Sequence, residues 1–235
     1  MGPSLSAPAV AATPLHRRHP RIRKVLAAVA VLGIASAVGG AFTLWPHSPD
    51  NLGNASNAVN AALIQQWQAG DMIVLVRHAE RCDRSSNPCL GPTDGITLHG
   101  SQNATIVGQA LKTLGLSHTD LLTSPTHRTA QTAHYMMGGD VAGAPWLSQC
   151  DHTLLADSVA HKVAQRNLIV VTHSGCIGHV EKQMGYPRAE MAPYSSALFL
   201  SVDKQGKPTV MGMIKVEDWP KVVQVFQTAG NQNKL

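Results

Sequence analysis

Two short, almost uninterrupted apolar runs frame the chain, Met72–Val76 (MIVLV) and Leu168–Thr172 (LIVVT). Runs of this length with no polar face predict strands covered on both sides. The intervening segments read as helices. Ala58–Ala69 is a short one stopped by Gly70, and Thr97 caps another that runs to Leu114 and ends at Gly115. Ser124-Pro125 reads as the N-cap and first position of a helix to about Met137. Leu155, Val159 and Val163 recur at i+4 within a helix over Leu154–Gln165, and Gly175–Met184 follows the second apolar run as a helix. Leu121–Thr123 is a further short strand, and Ala197–Val202 with Thr209–Val216 makes a final pair around Lys204-Gln205-Gly206. Strands alternating with helices predict a three-layer, doubly wound α/β domain with a mainly parallel sheet.

A different pattern precedes this domain. Val25–Trp45 holds no charged side chain over 21 residues, about the length a helix needs to cross a bilayer. Arg17, Arg18, Arg21, Arg23 and Lys24 lie just before it, which puts the N-terminus on the cytoplasmic side and the domain outside. The expected layout is a basic cytoplasmic tail (1–24), a transmembrane anchor (25–45), a linker and short helix (46–70) and the α/β domain (71–235). Ala35-Ser36-Ala37 offers a competing reading as a cleaved signal peptide. Either way the domain is exported, to the periplasm if the membrane is a bacterial inner membrane.

Charge then narrows the function classes. The five basic residues of the tail account for the whole net charge of +5, because the other fourteen Lys and Arg are matched by fourteen acids. The domain is electrically balanced, and a nucleic-acid partner is not expected. Four cysteines suit an oxidising compartment. Cys82 and Cys89 bracket a short loop, which suggests the pairs Cys82–Cys89 and Cys150–Cys176, although four cysteines allow three connectivities. No C-x-x-C occurs, and no metal or cofactor is expected.

Both strong strands end in a histidine. Val76 leads into Arg77-His78-Ala79-Glu80-Arg81, and Val171 into Thr172-His173-Ser174-Gly175. Ligands of open parallel sheets bind at the carboxyl ends of the strands, so the two imidazoles are candidates to face one group. Arg77, Arg81 and Arg128 are candidates to join them, Arg128 in the first turn of its helix. A neutral imidazole can attack phosphorus, while guanidinium groups and a protonated His173 stabilise the equatorial oxygens. A carboxylic acid must protonate the leaving alkoxide. Arg84 reads as a residue that solvates its loop.

These blocks carry a resemblance. Arg77-His78-Ala79-Glu80, then Thr123-Ser124-Pro125-x-x-Arg128-Thr129-x-x-Thr132-Ala133, then Val171-Thr172-His173-Ser174-Gly175 resemble the histidine phosphatase superfamily (phosphoglycerate mutase-like). The resemblance implies a phosphohistidine intermediate on His78 and a phosphate pocket of Arg77, Arg128 and His173, with Arg81 as an additional pocket arginine. It also implies a leaving-group acid on the loop after the third strand, where Asp151 is the nearest carboxylate, with Glu80 as the alternative. A tighter similarity, through Arg81-Cys82-Asp83-Arg84-Ser85, Asn87-x-Cys89-Leu90, Gly95-Ile96-Thr97 and Gln149-Cys150, is to membrane-anchored periplasmic members of that family. It implies a phosphorylated sugar as substrate, a heptose phosphate of the lipopolysaccharide core, and four cysteines at matching places. Ser174-Gly175-Cys176 departs from the Asn-His-Cys of those members. A generic phosphatase, a protein-phosphohistidine phosphatase and a non-catalytic phosphate-binding module are the competing functions.

Overall fold

The computed structural model describes residues 20–44, 47–150 and 152–232. Two units are separated between Trp45 and Pro46. The first contains α1 (Pro20–Leu44), a 25-residue helix. Its side chains are described over Lys24–Ser36, where Val25, Leu26, Val29, Val31, Leu32 and Ile34 are 61–67% exposed. Among the described residues no helix is long and apolar enough to cross a membrane, and the expected span 25–45 runs past the described side chains.

The second unit is the α/β domain. In chain order it contains α2 (Asn57–Ala69), β1 (Met72–Arg77), α3 (Leu98–Leu114), β2 (Thr119–Thr123), α4 (His127–Met137) and α5 (Leu154–His161). These are followed by β3 (Asn167–Thr172), α6 (Ser174–Gln183), β4 (Ala197–Val202), β5 (Pro208–Ile214) and α7 (Trp219–Gln232). The five strands form one sheet in the order β2-β3-β1-β4-β5. β1 and β2 both pair parallel with β3, whereas β4 runs antiparallel to β1 and to β5. The sheet is therefore mixed: β2, β3, β1 and β5 run the same way, as expected of a mainly parallel sheet, and β4 alone runs against them.

The three layers follow from alternation along the strands. Met72, Val74, Val76, Ile169, Val171, Ala197 and Phe199 point to one face, where they meet Leu63 and Trp67 of α2, Val107 and Leu111 of α3, Met136 of α4 and Trp219 of α7. Ile73, Leu75, Leu168, Val170, Leu198 and Leu200 point to the other, against Leu154 of α5 and Ile177 and Val180 of α6. The middle of a strand sandwiched this way meets apolar side chains from both layers, which explains the apolar runs, and the buried polar residues Arg77, Asn167 and Thr172 fall at strand ends.

Four local expectations change. The N-cap of α4 is Thr126 and the helix starts at His127, so Ser124 is left outside it. α5 ends at His161, where Lys162 turns extended, and Gln165 adopts φ +60° before β3. β5 stops at Ile214, because Val216 already belongs to a 3₁₀ turn. The amphipathic α7 was not expected at all.

Candidate active site

β1 and β3 are neighbours in parallel register, with Arg77 opposite Thr172. The residue after each strand therefore leaves the sheet at the same level, and those residues are His78 and His173. The His78 N–H donates to the Thr172 carbonyl at 2.8 Å, which locks the two strand ends together. The rings lie 5.4 Å apart, edge to face, and are 3% and 9% exposed.

Their partners assign opposite tautomers. Nδ1 of His78 lies 2.8 Å from the Ala79 carbonyl, which can only accept, so Nδ1 carries the proton and Nε2 keeps its lone pair. Nδ1 of His173 faces Nη2 of Arg128 at 3.2 Å, and a guanidinium can only donate. His173 therefore accepts at Nδ1, and its Nε2–H donates to Oγ of Ser124 at 3.1 Å. Electrostatics agree. Burial, followed by His173, Arg128 and Arg77, holds the His78 pKa down at about 3 against the Ala79 hydrogen bond. Burial, followed by Arg128, Arg81 and Arg77, lowers that of His173 to about 4. Both rings are therefore neutral at pH 7 in the ligand-free pocket.

The arginines are held from several sides. Arg77, 6% exposed, donates through Nη1 to the Ala192 carbonyl at 2.5 Å. Its guanidinium lies 3.8 Å from the centroid of the Tyr194 ring. Arg128 is fixed through its backbone: its carbonyl accepts from Oγ1 of Thr132 at 2.6 Å, and that oxygen accepts from the Ala79 N–H at 2.9 Å. Nε of Arg77 and Nε of Arg128 are buried with no hydrogen-bond partner among the described residues. Two cationic side chains with unspent buried donors around a free imidazole nitrogen form a cage for an anion with several oxygens.

The other expected residues divide. Arg81 forms a two-point pair with Asp83, through Nε to Oδ1 at 2.7 Å and through Nη2 to Oδ2. From there its charge still reaches His173 and Arg128. Glu80 does not join the pocket contacts. Its carboxylate accepts from Oγ1 of Thr97 at 2.7 Å and from Nδ2 of Asn87 at 2.8 Å, and Thr97 is the N-cap of α3. Burial pushes the Glu80 pKa up, but the hydrogen bonds from Asn87, Thr97 and Ser85 outweigh it and keep it ionised. Asp151, the other candidate acid, lies outside the described residues. The disulfides Cys82–Cys89 and Cys150–Cys176 are both formed. The first closes the loop that holds Asp83 and begins one residue after Arg81, and the second ties the first turn of α6, directly behind His173. Among the described residues no group of three His, Cys, Asp or Glu side chains could hold a metal ion.

Sequence reasoning missed Ser124, Thr132, Ala192 and Tyr194. The first two sat inside a quoted motif block and could have been found there. Ala192 contributes only a carbonyl, and Tyr194 is a single aromatic in a loop.

Comparison with known proteins gives the chain a family. Residues 73–143 match the histidine phosphatase superfamily (branch 1). The chain is 33% identical to the lipopolysaccharide core heptose(II)-phosphate phosphatase of Escherichia coli O7:K1 (strain IAI39 / ExPEC) over 158 residues, 66% of this chain and 76% of that protein. The protein of the same description from Escherichia coli (strain K12 / DH10B) gives the same identity and coverage. Among solved structures, the protein histidine phosphatase SixA complexed with tungstate superposes with a TM-score of 0.51 at 18% identity, over 63% of this chain and 98% of that one. That likeness concerns the fold. The chain belongs to the histidine phosphatase superfamily. It is a hydrolase of the phosphatase class.

Proposed function

We propose that this chain is an exported phosphomonoesterase that transfers a phosphoryl group from an envelope sugar phosphate to Nε2 of His78 and then to water. The observation that carries the reading is the free lone pair on His78 Nε2 inside the cage of Arg77, Arg128 and His173. Arg77 and Arg128 take the non-bridging oxygens of the incoming monoester. Its negative charge raises the proton affinity of His173, which becomes a third cationic donor. Nε2 attacks phosphorus in line, the P–O bond to the sugar breaks, and the leaving alkoxide takes a proton from a carboxylic acid. With Glu80 ionised and spent on Thr97 and Asn87, Asp151 is the acid in this scheme. Water then attacks the phosphohistidine, gives up its proton to the same carboxylate and releases inorganic phosphate. No metal is required by these steps.

The substrate in this reading is a heptose phosphate of the lipopolysaccharide core, on the strength of the similarity to the two Escherichia coli proteins. Residues 25–45 anchor the chain in the inner membrane with the domain in the periplasm. The basic tail, the uncharged apolar run and the exposed apolar side chains of α1 support that placement, as do the two disulfides.

The test uses the full chain purified in detergent. It is expected to release phosphate from p-nitrophenyl phosphate and from core oligosaccharide in excess EDTA, with turnover abolished in His78→Ala. Full activity of His78→Ala would end the nucleophile assignment. Core lipopolysaccharide of unchanged mass in cells with and without the active chain would end the substrate assignment.

A further inference from the structure

The segment between α6 and β4 does more for the pocket than close a loop. Ala192 supplies the carbonyl that takes Nη1 of Arg77. Two residues on, the Tyr194 ring lies against the guanidinium at 3.8 Å and 5.7 Å from the His78 ring. Ser195 then adopts φ +57°, one of two non-glycine residues with positive φ among the described residues. The left-handed region is costly for a side chain with a Cβ, and such residues persist only where their surroundings fix them. Here the surroundings are explicit. The Arg77 N–H donates to the Ser196 carbonyl at 2.9 Å and the Ser195 N–H to the His78 carbonyl at 3.4 Å. Ser196 Oγ donates back to the Pro193 carbonyl at 2.7 Å. Ser195 and Ser196 are fully buried, whereas Tyr194 is half-buried.

An arginine that must meet a tetrahedral anion needs its plane fixed as well as its position. A single hydrogen bond to Nη1 leaves the guanidinium free to swing about that contact. An aromatic ring on its face removes the remaining freedom and favours the cation electrostatically. The Ala192 carbonyl uses one edge and the ring covers one face, which leaves Nε and Nη2 as the donors for the ligand.

We propose that Tyr194 is a positioning residue that sets the Arg77 guanidinium for phosphate capture, through the face of its ring and not through its hydroxyl. The inference rests on the phosphatase reading above. Its effect is therefore transmitted wholly through Arg77.

The experiment measures p-nitrophenyl phosphate turnover and sulfate affinity of the full chain in detergent for Tyr194→Leu, Tyr194→Gln and Tyr194→Phe, each alone and combined with Arg77→Ala. Thermal melting of each variant accompanies these measurements. Leu and Gln are expected to lower kcat/KM and sulfate affinity by about tenfold, the scale of a desolvated cation–ring contact. Phe retains wild-type values, and in the Arg77→Ala background none of the three changes has a further effect. A Phe variant as impaired as Leu would overturn the proposal by assigning the role to the hydroxyl. Equal losses with and without Arg77 would overturn it by showing that Tyr194 acts independently. So would wild-type kinetics in Leu and Gln. If Leu and Gln do not fold, the comparison of Phe with wild type in both backgrounds decides between ring and hydroxyl. Failure of the phosphatase reading would show separately, as full turnover in His78→Ala.

Discussion

Arg128 donates to Nδ1 of His173 across 3.2 Å, so the cation of the pair is the arginine and the ring stays neutral. The contact couples protonation of the pocket to occupancy. A proton on His173 Nδ1 would face a guanidinium already in place, and an incoming dianion is what makes that proton affordable.

Anion binding is accordingly expected to take up a proton. Sulfate is a suitable probe, because it does not titrate near neutrality. Calorimetric titration at pH 7 in two buffers of different ionisation enthalpy should give uptake of up to about one proton per sulfate bound. His173→Gln should abolish the uptake. Buffer-independent heats in the wild-type chain would show that His173 stays neutral in the complex.

The leaving group distinguishes the two candidate acids. In the burst phase, which reads phosphorylation of His78 alone, Asp151→Asn is expected to slow alkyl phosphates by about 10²-fold while sparing p-nitrophenyl phosphate, whose leaving group needs no proton. Glu80→Gln weakens the hold on Thr97 and Asn87 and should impair both substrates alike, through KM. The opposite pattern, with Glu80→Gln selective for poor leaving groups, would transfer the acid role to Glu80.

Thr132 joins the nucleophile loop to the arginine helix through one hydroxyl. Thr132→Val leaves the buried Ala79 N–H without an acceptor and should cost about 1–3 kcal/mol of stability. A fall in kcat of about tenfold should accompany it as His78 and Arg128 lose their common brace. Thr132→Ser keeps the hydroxyl and should recover most of both. Denaturant unfolding and steady-state kinetics check this pair, and a Ser variant as damaged as Val would refute the bridging role.

Glu181 is 1% exposed and its carboxyl oxygens have no partner among the described residues. It lines a cavity of about 160 Å³ with Ser48, Pro193 and Lys215. Burial pushes its pKa from 4.5 up to about 7. The unfolded chain ionises this group from pH 4.5 upwards and the folded one does not. Its contribution is therefore fully present below pH 4.5 and is lost as pH rises through about 7. The loss is on the order of 3 kcal/mol. Glu181→Gln should be more stable than wild type at pH 8 and lose that advantage at pH 4. Unfolding midpoints that differ by the same amount at both pH values would contradict the assignment.

The site's main lines were legible because strong strands advertise their ends. MIVLV ends one residue before Arg77 and LIVVT one residue before His173, and the parallel pairing of the two strands brings His78 and His173 together. What could not be read was direction. A helix between β3 and β4 suggests another parallel crossover. Instead α6 carries the chain down the sheet, and the segment after it runs back up, so that Ala197 enters β4 opposite Val76, near the end of β1. The return path makes the sheet mixed, and it also delivers Ala192 and Tyr194 to the rim. The one reversed strand and the missed pocket residues thus share one cause. Ser124 was misread for a local reason: Ser-Pro is a good helix opening, but Thr126 takes that position and Ser124 meets His173 instead. The α7 pattern, with Trp219, Val222, Val223 and Phe226 at i, i+3, i+4 and i+7, was present in the sequence, and Pro220 at its start is compatible with a helix beginning there.

The left-handed backbone at Ser195 also bears on how this domain can be improved. Glycine would adopt that conformation without penalty, so any selection for thermostability alone would be drawn to Ser195→Gly. The same change would slacken the hinge that aims the neighbouring aromatic ring. Robustness and turnover are set against each other at this one peptide unit, and libraries built for industrial hardiness should hold it fixed.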